Sequence, residues 1–550
     1  MDLRSLPKVA YFCMEFGLNE KLPIYAGGLG ILAGDILKTA YDLSLPLIGV
    51  GILWEKGYTS QVISPELWPE DRPQIVSHEY LTDTGKTISL NIAGIDVTCR
   101  IWLCDAFNNV PLYLLQPENL PHVCHSLYCG SEEDRVKQEM ILGIGGVKAL
   151  KALGIKPELY HFNEGHAVLA GLELIREKME EGQSFEEAWE RTKDQIIFTT
   201  HTPVMAGNES HARELFIHLG ANRGLNMEQL AAIGGSPFSM TVAGLKLAHV
   251  ANGVSTMHAT TSRAMWQDIK DSAPILGITN GVHKGTWQNA KIYLNYLSRG
   301  DLWTAHQEAK EALLEEVRRQ TALSLELDVL TIGFARRAAP YKRSDLIFRR
   351  PEIIEPLLNS GELQIIFSGK AHPHDYAGKE IVSHLVRFAR KYPGRVVFLE
   401  DYNMRIARLM VQGADVWLNN PQRPLEASGT SGMKAAMNGV INLSILDGWW
   451  PEACRHAING WQIGGGYQGP EQNYYDLVSL YEVLLDEVIP TYYDHRDQWI
   501  RMMEESIHFS EAFSAERMLS EYYNLLYTPS VTAMKVKKAA KGVLEEVLTT

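Results

Sequence analysis

Over the first 55 residues the apolar positions fall in short continuous runs, not at helical spacing. "KVAYFCMEF" (8–16) and "LPLIGVGIL" (45–53) read as strands buried on both faces. Between them, "AGGLGILAGD" (26–35) reads as a glycine-rich turn running into a helix, which completes a βαβ unit. The alternation continues. "RVKQEMILGIGGVKALKALGI" (135–155) has the spacing of one helix, "ELYHFNEGH" (158–166) of a strand ending in a polar loop, and "DQIIFTTHTP" (194–203) of another strand-to-loop junction. Residues 301–320 form a charged amphipathic helix with neither Gly nor Pro. A second series of strands follows at 328–334, 363–369, 395–400, 415–420 and 440–445, separated by helical patterns, and from about residue 474 the pattern is helical to the final "MKVKKAAKGVLEEVLTT". The expected fold class is α/β, with two Rossmann-like, doubly wound domains facing a cleft. The boundaries read as an N-terminal domain over 1–300, a connecting helix over 301–325, a C-terminal domain over 326–510 and a helical tail over 511–550.

Length agrees with two domains, since 550 residues exceed the roughly 250–300 that one core sustains. A net charge of −14 argues against nucleic acid or an anionic membrane surface as a partner. The apolar run from Val9 to Met14 stops at Glu15, and the run near Pro46 falls far short of the roughly 20 residues of a membrane span. Six cysteines are too few for a disulfide scaffold, so a cytoplasmic protein with reduced thiols is expected. Cys99, Cys104, His122, Cys124, His125 and Cys129 share one region without paired ligand spacing, which reads as packing or free thiols, and no metal is expected.

Three loops at strand ends carry candidate chemistry. In "YAGGLGILAGD", Gly27, Gly28 and Gly30 let backbone amides approach a ligand, and the helix that follows adds partial positive charge; close packing is the competing reading. In "FARRAAPYKRSD" (334–345), Arg336, Arg337, Lys342 and Arg343 place four positive charges in an otherwise acidic protein, suiting phosphate oxygens unless the loop is merely solvated. In "RPLEASGTSGMKAAMNG" (423–439), small residues separate Glu426 from Lys434 and open an Ala-rich helix. A lysine there fits either a Schiff base with an aldehyde cofactor or a snorkelling side chain. Asn163, Glu164 and His166 in "HFNEGH" and His201 in "TTHTPVMAGN" are further polar candidates without metalloprotease spacing, and Asn280 in "GITNGVHKGTW" either reads a sugar hydroxyl or holds a turn.

Together these motifs resemble the glycogen/starch/maltodextrin phosphorylase family, in order along almost the whole chain from "MEF" near residue 14 to "LDG" at 446–448. The compact bacterial and archaeal branch is the nearer match, because the chain is shorter than the animal and plant enzymes. The resemblance implies a GT-B type architecture and pyridoxal 5'-phosphate on Lys434, within "EASGTSGMKxxxNG". It implies a cofactor pocket of Arg336, Thr430, Ser431, Gly432, Gly27 and Tyr402, and substrate-phosphate ligands Gly28, Arg337 and Lys342. Glu426, Asn280, Ser428, Gly429, Glu164, His166 and Tyr341 are the implied sugar contacts, and the His201 carbonyl is implied to face the reacting sugar. "SGKAHP" (368–373) and "KQE" (137–139) match family segments as well. Departures are Asn403, where the longer enzymes have an arginine, and Trp449 and Trp450 after "LDG", where they have small or polar residues; altered chain-length preference or phosphate environment is the expected effect.

The implied reaction is retaining phosphorolysis of α-1,4-glucan ends by inorganic phosphate to glucose 1-phosphate, with the cofactor phosphate held against the substrate phosphate. Lys434, Arg337, Lys342 and His201 are the implied catalytic set. No carboxylate acid/nucleophile pair is needed, unlike in a glycosidase. A homodimer is common in the family. Two alternatives use the same fold: a nucleotide-sugar-dependent glucan synthase, which needs no Schiff-base lysine, and a catalytically silent glucan-binding protein.

Overall fold

The computed structural model describes residues 5–532 and 534; the end of the expected tail, from Lys535 on, lies outside the described residues. The chain divides into two compact units. Unit 1 comprises the described parts of 1–58, 74–279 and 515–550, and unit 2 comprises 59–73 and 280–514. Residues 280–300 and the helix Leu302–Thr321 therefore pack within unit 2, and the described part of the tail after Ser514 packs within unit 1.

Unit 1 is built on a nine-stranded sheet. Val9–Phe12, the first strand, lies at its centre. Leu47–Ile52 and Leu112–Pro117 extend it on one side, and Leu159–Asn163, Ile196–Thr200, Val250–Gly253 and Ile275–Gly277 on the other. These seven strands are parallel and, except at the Ile275–Gly277 edge and at Tyr113 and Gln116, buried, as their apolar runs require. The strand order reverses between Val9–Phe12 and Leu159–Asn163, so Cys13–Glu15 and Glu164–His166 leave the sheet at a topological switch point. Two antiparallel strands, Thr82–Ile92 and Ile95–Cys104, close the far edge.

The segment 135–155 differs from the single helix expected. It runs as a helix to Met140, a π-helical turn over Ile141–Gly145, and a helix again over Gly146–Ala152. Close packing is the cause: a Cβ on Gly143 would lie 2.6 Å from the Ala170 nitrogen, and one on Gly146 2.3 Å from the Phe12 ring. All six cysteines are free thiols, with Cys13, Cys99, Cys104 and Cys124 buried. Burial pushes the Cys99 and Cys13 thiols up to about 12.

Unit 2 carries a six-stranded, wholly parallel sheet in the order Val396–Leu399, Leu363–Ser368, Leu330–Ala335, Val416–Asn419, Ile441–Ile445, Gly460–Ile463. Its switch point lies between Leu330–Ala335 and Val416–Asn419, the strands that feed the basic loop and the Glu426 loop. Helix Leu302–Thr321, capped by the Asp301 side chain, packs on Met404–Gly413. Buried Lys310 ties this helix to the sheet, donating to Asp415 at 2.6 Å and to the Val329 carbonyl at 2.8 Å. The early hairpin Ser60–Arg72 belongs here too. Gln61 exchanges side-chain bonds with the Ala371 backbone, and Lys370 donates to the Thr59 carbonyl at 2.7 Å, so "SGKAHP" is a docking turn for that hairpin.

Candidate active site

In unit 2, residues 336–342 leave the strand Leu330–Ala335, and Glu426 follows the neighbouring strand. Their side chains converge. The Glu426 carboxylate accepts from Arg336 at 2.9 Å and from Lys342, with all three groups nine-tenths buried. Arg336 also donates to Asn419, while its Nε is buried with no hydrogen-bond partner. Two cations thus share one carboxylate. Burial pulls the Glu426 carboxyl upward, but the charges of Arg336 and Lys342 prevail and hold it down to about 2. Lys342 loses its hydration and faces Arg336, so burial first and like charge second bring its ammonium down to about 7. Tyr341 supports it, with Lys342 Nζ 4.5 Å from the ring centroid and Arg337 bonded to the phenol. Arg337 itself is exposed. Tyr402 is partly buried beside Arg336.

Arg343, counted in the basic loop, faces away from this cluster. Its guanidinium is consumed by the carbonyls of Asn420 and Pro421, by Asp476 at 2.8 Å and by Asn473 at 2.9 Å.

The loop after Glu426 turns at Gly429, whose φ of 84° is left-handed, and starts the helix Thr430–Ala436. Ser428 is buried, and Ser431 accepts from the Trp417 indole at 3.2 Å. Gly432 is required by contact, since a Cβ there would lie 2.6 Å from Asn442 Oδ1 and 3.0 Å from Trp449 Nε1. Lys434 is buried, with its ammonium 3.8 Å from the centroid of Trp287. Trp287 is fixed in turn, its carbonyl accepting from Gln412 at 3.1 Å and Asn438 at 3.0 Å. Asn280 is buried a few residues before it. A snorkelling lysine would carry its ammonium to solvent; Lys434 does not.

Asp447 was not singled out in the sequence, though it lies in "LDG". Its carboxylate accepts the Glu426 and Gly448 amides, each at 2.9 Å, and fixes the Glu426 backbone. Burial pushes it up to about 7. Trp287 was likewise visible only as the end of a quoted motif. Trp449 and Trp450 are buried, their rings 5.2 Å apart and Trp449 4.8 Å from Phe513, so these departures pack beneath the loop. Asn403 caps the helix Met404–Gly413 by accepting the Ile406 amide at 3.1 Å.

In unit 1 the glycine loop is organised by Glu15, a second residue the motifs did not flag. One carboxylate oxygen accepts the amides of Ala26 at 2.5 Å and Gly27 at 3.1 Å, and the other accepts the Tyr128 hydroxyl at 2.7 Å. A Cβ on Gly27 or Gly28 would meet nothing within 4 Å, so this face of the helix start is open, whereas Gly30 and Gly34 serve close packing.

Glu164, Asn163 and His201 meet at the switch point. Glu164 accepts the His201 amide at 2.7 Å, and His201 Nε2 lies 2.5 Å from Asn163 Oδ1. Glu164 sits at φ 73°, ψ 174°, a conformation that costs a non-glycine residue about 1–3 kcal/mol. Burial pushes its carboxyl up to about 7 and the His201 imidazole down to about 3. His166 is buried, 3.3 Å from Arg135 and 3.6 Å from Glu209, and burial then the Arg135 charge bring it down to about 4. Among the described residues, Glu139, Glu209 and His211 offer atoms within metal-ligating distance of one another. Arg135, donating to Glu209 at 2.8 Å, already supplies a cation there, and Glu139 and His211 lie 3.4 Å apart.

Comparisons with known proteins point to one family. A profile of the carbohydrate phosphorylase family matches residues 294–457, the stretch carrying the basic loop, Glu426 and Lys434. Maltodextrin phosphorylase of Thermococcus litoralis is 40% identical over 95% of this chain and 71% of its own length. Glycogen phosphorylase of Mycobacterium tuberculosis is 37% identical over 97% and 72%, and that of Aquifex aeolicus 36% over 94% and 86%. A mixed α/β fold of parallel sheets, matched by this family profile, fits a phosphorylase of glycosyltransferase-like fold. The chain belongs to the α-glucan phosphorylase family.

Proposed function

We propose that the protein is a pyridoxal-phosphate-dependent α-glucan phosphorylase of GT-B architecture. It releases α-glucose 1-phosphate from the non-reducing ends of α-1,4-glucans by retaining phosphorolysis. The observation that carries this reading is the cation surplus around one carboxylate, Arg336 and Lys342 on Glu426, at a switch point of the sheet that also carries buried Lys434 on the helix after Glu426. Unit 2 would serve the cofactor and, through Arg337 and Lys342, the substrate phosphate, and unit 1 would serve the glucan. A cytoplasmic homodimer completes the proposal; among the described residues no helix is long and apolar enough to cross a membrane.

The residues present fit the cofactor. Lys434 on the Trp287 face would hold the aldehyde. The unpartnered Arg336 Nε and the amides of Thr430, Ser431 and Gly432 would hold its phosphate, with Tyr402 alongside. When bound, pyridoxal phosphate supplies a second phosphate dianion against which the substrate phosphate keeps an acidic proton.

The chain's own residues do the rest. Arg337 and Lys342 bind the substrate phosphate and offset its repulsion. Lys342, brought down to about 7 by burial and by Arg336, regains a full positive charge when an anion arrives. The bound phosphate can then protonate the glycosidic oxygen as general acid and collapse on the same face of the sugar. Glu426, Asn280, Ser428, Gly429, Tyr341, Glu164 and His166 are the proposed sugar-side residues, and the His201 carbonyl faces the positive charge that develops at the anomeric carbon.

The test is an absorbance spectrum of the purified protein beside Lys434→Ala, followed by a phosphate-dependent assay for glucose 1-phosphate. A pyridoxal band absent from the variant, with product formed only by the wild type, is the expected result. No band after incubation with excess pyridoxal phosphate would refute the reading.

A further inference from the structure

Glu164 follows the strand Leu159–Asn163, and its amide still bonds to the Thr199 carbonyl at 2.9 Å, one residue beyond that strand's end. Its φ of 73° is the region glycine adopts freely, yet the sequence places glycine one position later. Gly165 is needed there for packing, because a Cβ would lie 2.8 Å from the Met240 side chain. A charged side chain kept at a strained position, beside an available glycine, points to a task for the side chain itself.

The contacts identify that task. Glu164 Oε2 accepts the His201 amide at 2.7 Å and lies 3.5 Å from the Thr202 hydroxyl. Asn163 holds the His201 imidazole at 2.5 Å and is itself anchored on the Cys13 thiol at 3.3 Å. The Thr202 backbone is bonded to His258, whose ring also accepts the Val254 amide at 3.2 Å. The dipeptide His201–Thr202 is therefore held at the amide and ring of its first residue and at the backbone and hydroxyl of its second. The peptide between them carries the His201 carbonyl, and its rigid plane leaves that oxygen few directions once both neighbours are fixed.

We propose that Glu164 is a positioning residue: its carboxylate, delivered by a left-handed backbone, clamps His201–Thr202 so that the His201 carbonyl meets the reacting sugar in one orientation. This deepens the phosphorylase reading and rests on it for the role of that carbonyl. It replaces direct hydroxyl recognition as the main task of Glu164.

The experiment compares Glu164→Gly and Glu164→Gln in the full chain loaded with pyridoxal phosphate. Glycine suits the backbone but lacks the acceptor; glutamine keeps an acceptor oxygen. The expected result for Glu164→Gly is a melting temperature at or above wild type, a kcat lower by about 10²-fold and phosphate and maltodextrin KM values within about twofold. Glu164→Gln is expected to recover most of that kcat. Amide hydrogen exchange at His201 needs no catalysis, and it is expected to accelerate at least about tenfold in Glu164→Gly and stay near wild type in Glu164→Gln. Unchanged kcat in Glu164→Gly, or a raised maltodextrin KM with kcat preserved, would overturn the proposal, as would unchanged exchange at His201. If the wild type forms no glucose 1-phosphate, the phosphorylase reading fails while the exchange result still decides whether the clamp exists.

Discussion

Replacing Glu426 by glutamine keeps the shape of the buried cluster and removes its only carboxylate. The structure sets the magnitude. A carboxyl held at about 2 against an ordinary 4.5 is favoured in its charged form by about 2.5 pH units. At about 1.36 kcal/mol per unit this is about 3 kcal/mol at neutral pH, within the range for breaking a buried ion pair from one side. Because the folded value lies below the unfolded one, this stabilisation is fully present above pH 4.5 and is lost as pH falls from 4.5 towards 2. In Glu426→Gln, Arg336 and Lys342 face each other without an anion between them, and Lys342 relieves the repulsion by giving up its proton. The loss should therefore be larger at pH 6 than at pH 8. The assay is equilibrium urea unfolding followed by tryptophan fluorescence, which reports chiefly on unit 2, where most of the twelve tryptophans lie. Inorganic phosphate adds the decisive arm. An anion that enters between the two cations replaces the missing charge, so phosphate should stabilise the variant by about 2.7 kcal/mol at ~100 times its Kd and the wild type by less. A loss below about 1 kcal/mol, with equal phosphate stabilisation of both proteins, would refute the three-charge account.

Two further outcomes follow from unit 1. Gly34→Ala would place a Cβ 2.1 Å from the Gly17 carbonyl oxygen, a backbone atom tied by the Gly17 amide to Gly30, and should cost at least about 3 kcal/mol in unfolding free energy, measured by urea titration. Burial raises the Glu139 carboxyl to about 7, against the pull of His211 and Arg135 and with Glu209 adding to the rise. Its folded value exceeds its unfolded one, so wild-type stability falls as pH rises from 4.5 through 7; Glu139→Gln should melt higher than wild type at pH 8 and alike at pH 4.5, read by thermal scans at both.

The parallel strands Val9–Phe12, Leu47–Ile52, Leu159–Asn163 and Ile196–Thr200 and five of the six in unit 2 were legible because burial on both faces writes a continuous apolar run, whereas Leu112–Pro117, Val250–Gly253 and Ile275–Gly277 were not read as strands. The antiparallel edge was not legible either. Thr82–Ile92 alternates exposed and buried positions only in its second half and carries Asp83, Gly85 and Lys86 in its first, so its pattern resembles a loop until Ile95–Cys104 pairs with it. The short strand Gly460–Ile463 was hidden for another reason: its four residues, GWQI, include a glycine and a glutamine and so write no continuous apolar run, unlike the equally short Val396–Leu399. The π-turn at Ile141–Gly145 was invisible because its cause, the backbone of Leu169 and Ala170 pressing on Gly143, comes from a segment 26 residues away.

At the site the same division holds between residue type and partner. Lys342, Arg336 and Glu426 could be singled out as charges in small-residue loops, but a sequence does not say which charge meets which. Arg343 stands next to Lys342 and does an unrelated task, since its left-handed φ of 50° turns its side chain to Asp476 instead of Glu426. Glu15 and Asp447 escaped notice for the converse reason. Neither lies in a glycine-rich or basic run, yet each holds a loop that does, Glu15 through the amides of Ala26 and Gly27 and Asp447 through the amide of Glu426. Both are carboxylates one to three residues past the end of a strand, Val9–Phe12 and Ile441–Ile445, where the parallel sheet ends and unpaired amides gather. An acidic residue just beyond a buried parallel strand, with a glycine-rich loop or a functional glutamate elsewhere in the unit, is the signal that would have found them. Glu164, the first residue past Leu159–Asn163, has the same placement, and its acceptor role towards the His201 amide is the same physics applied to the loop that faces the sugar.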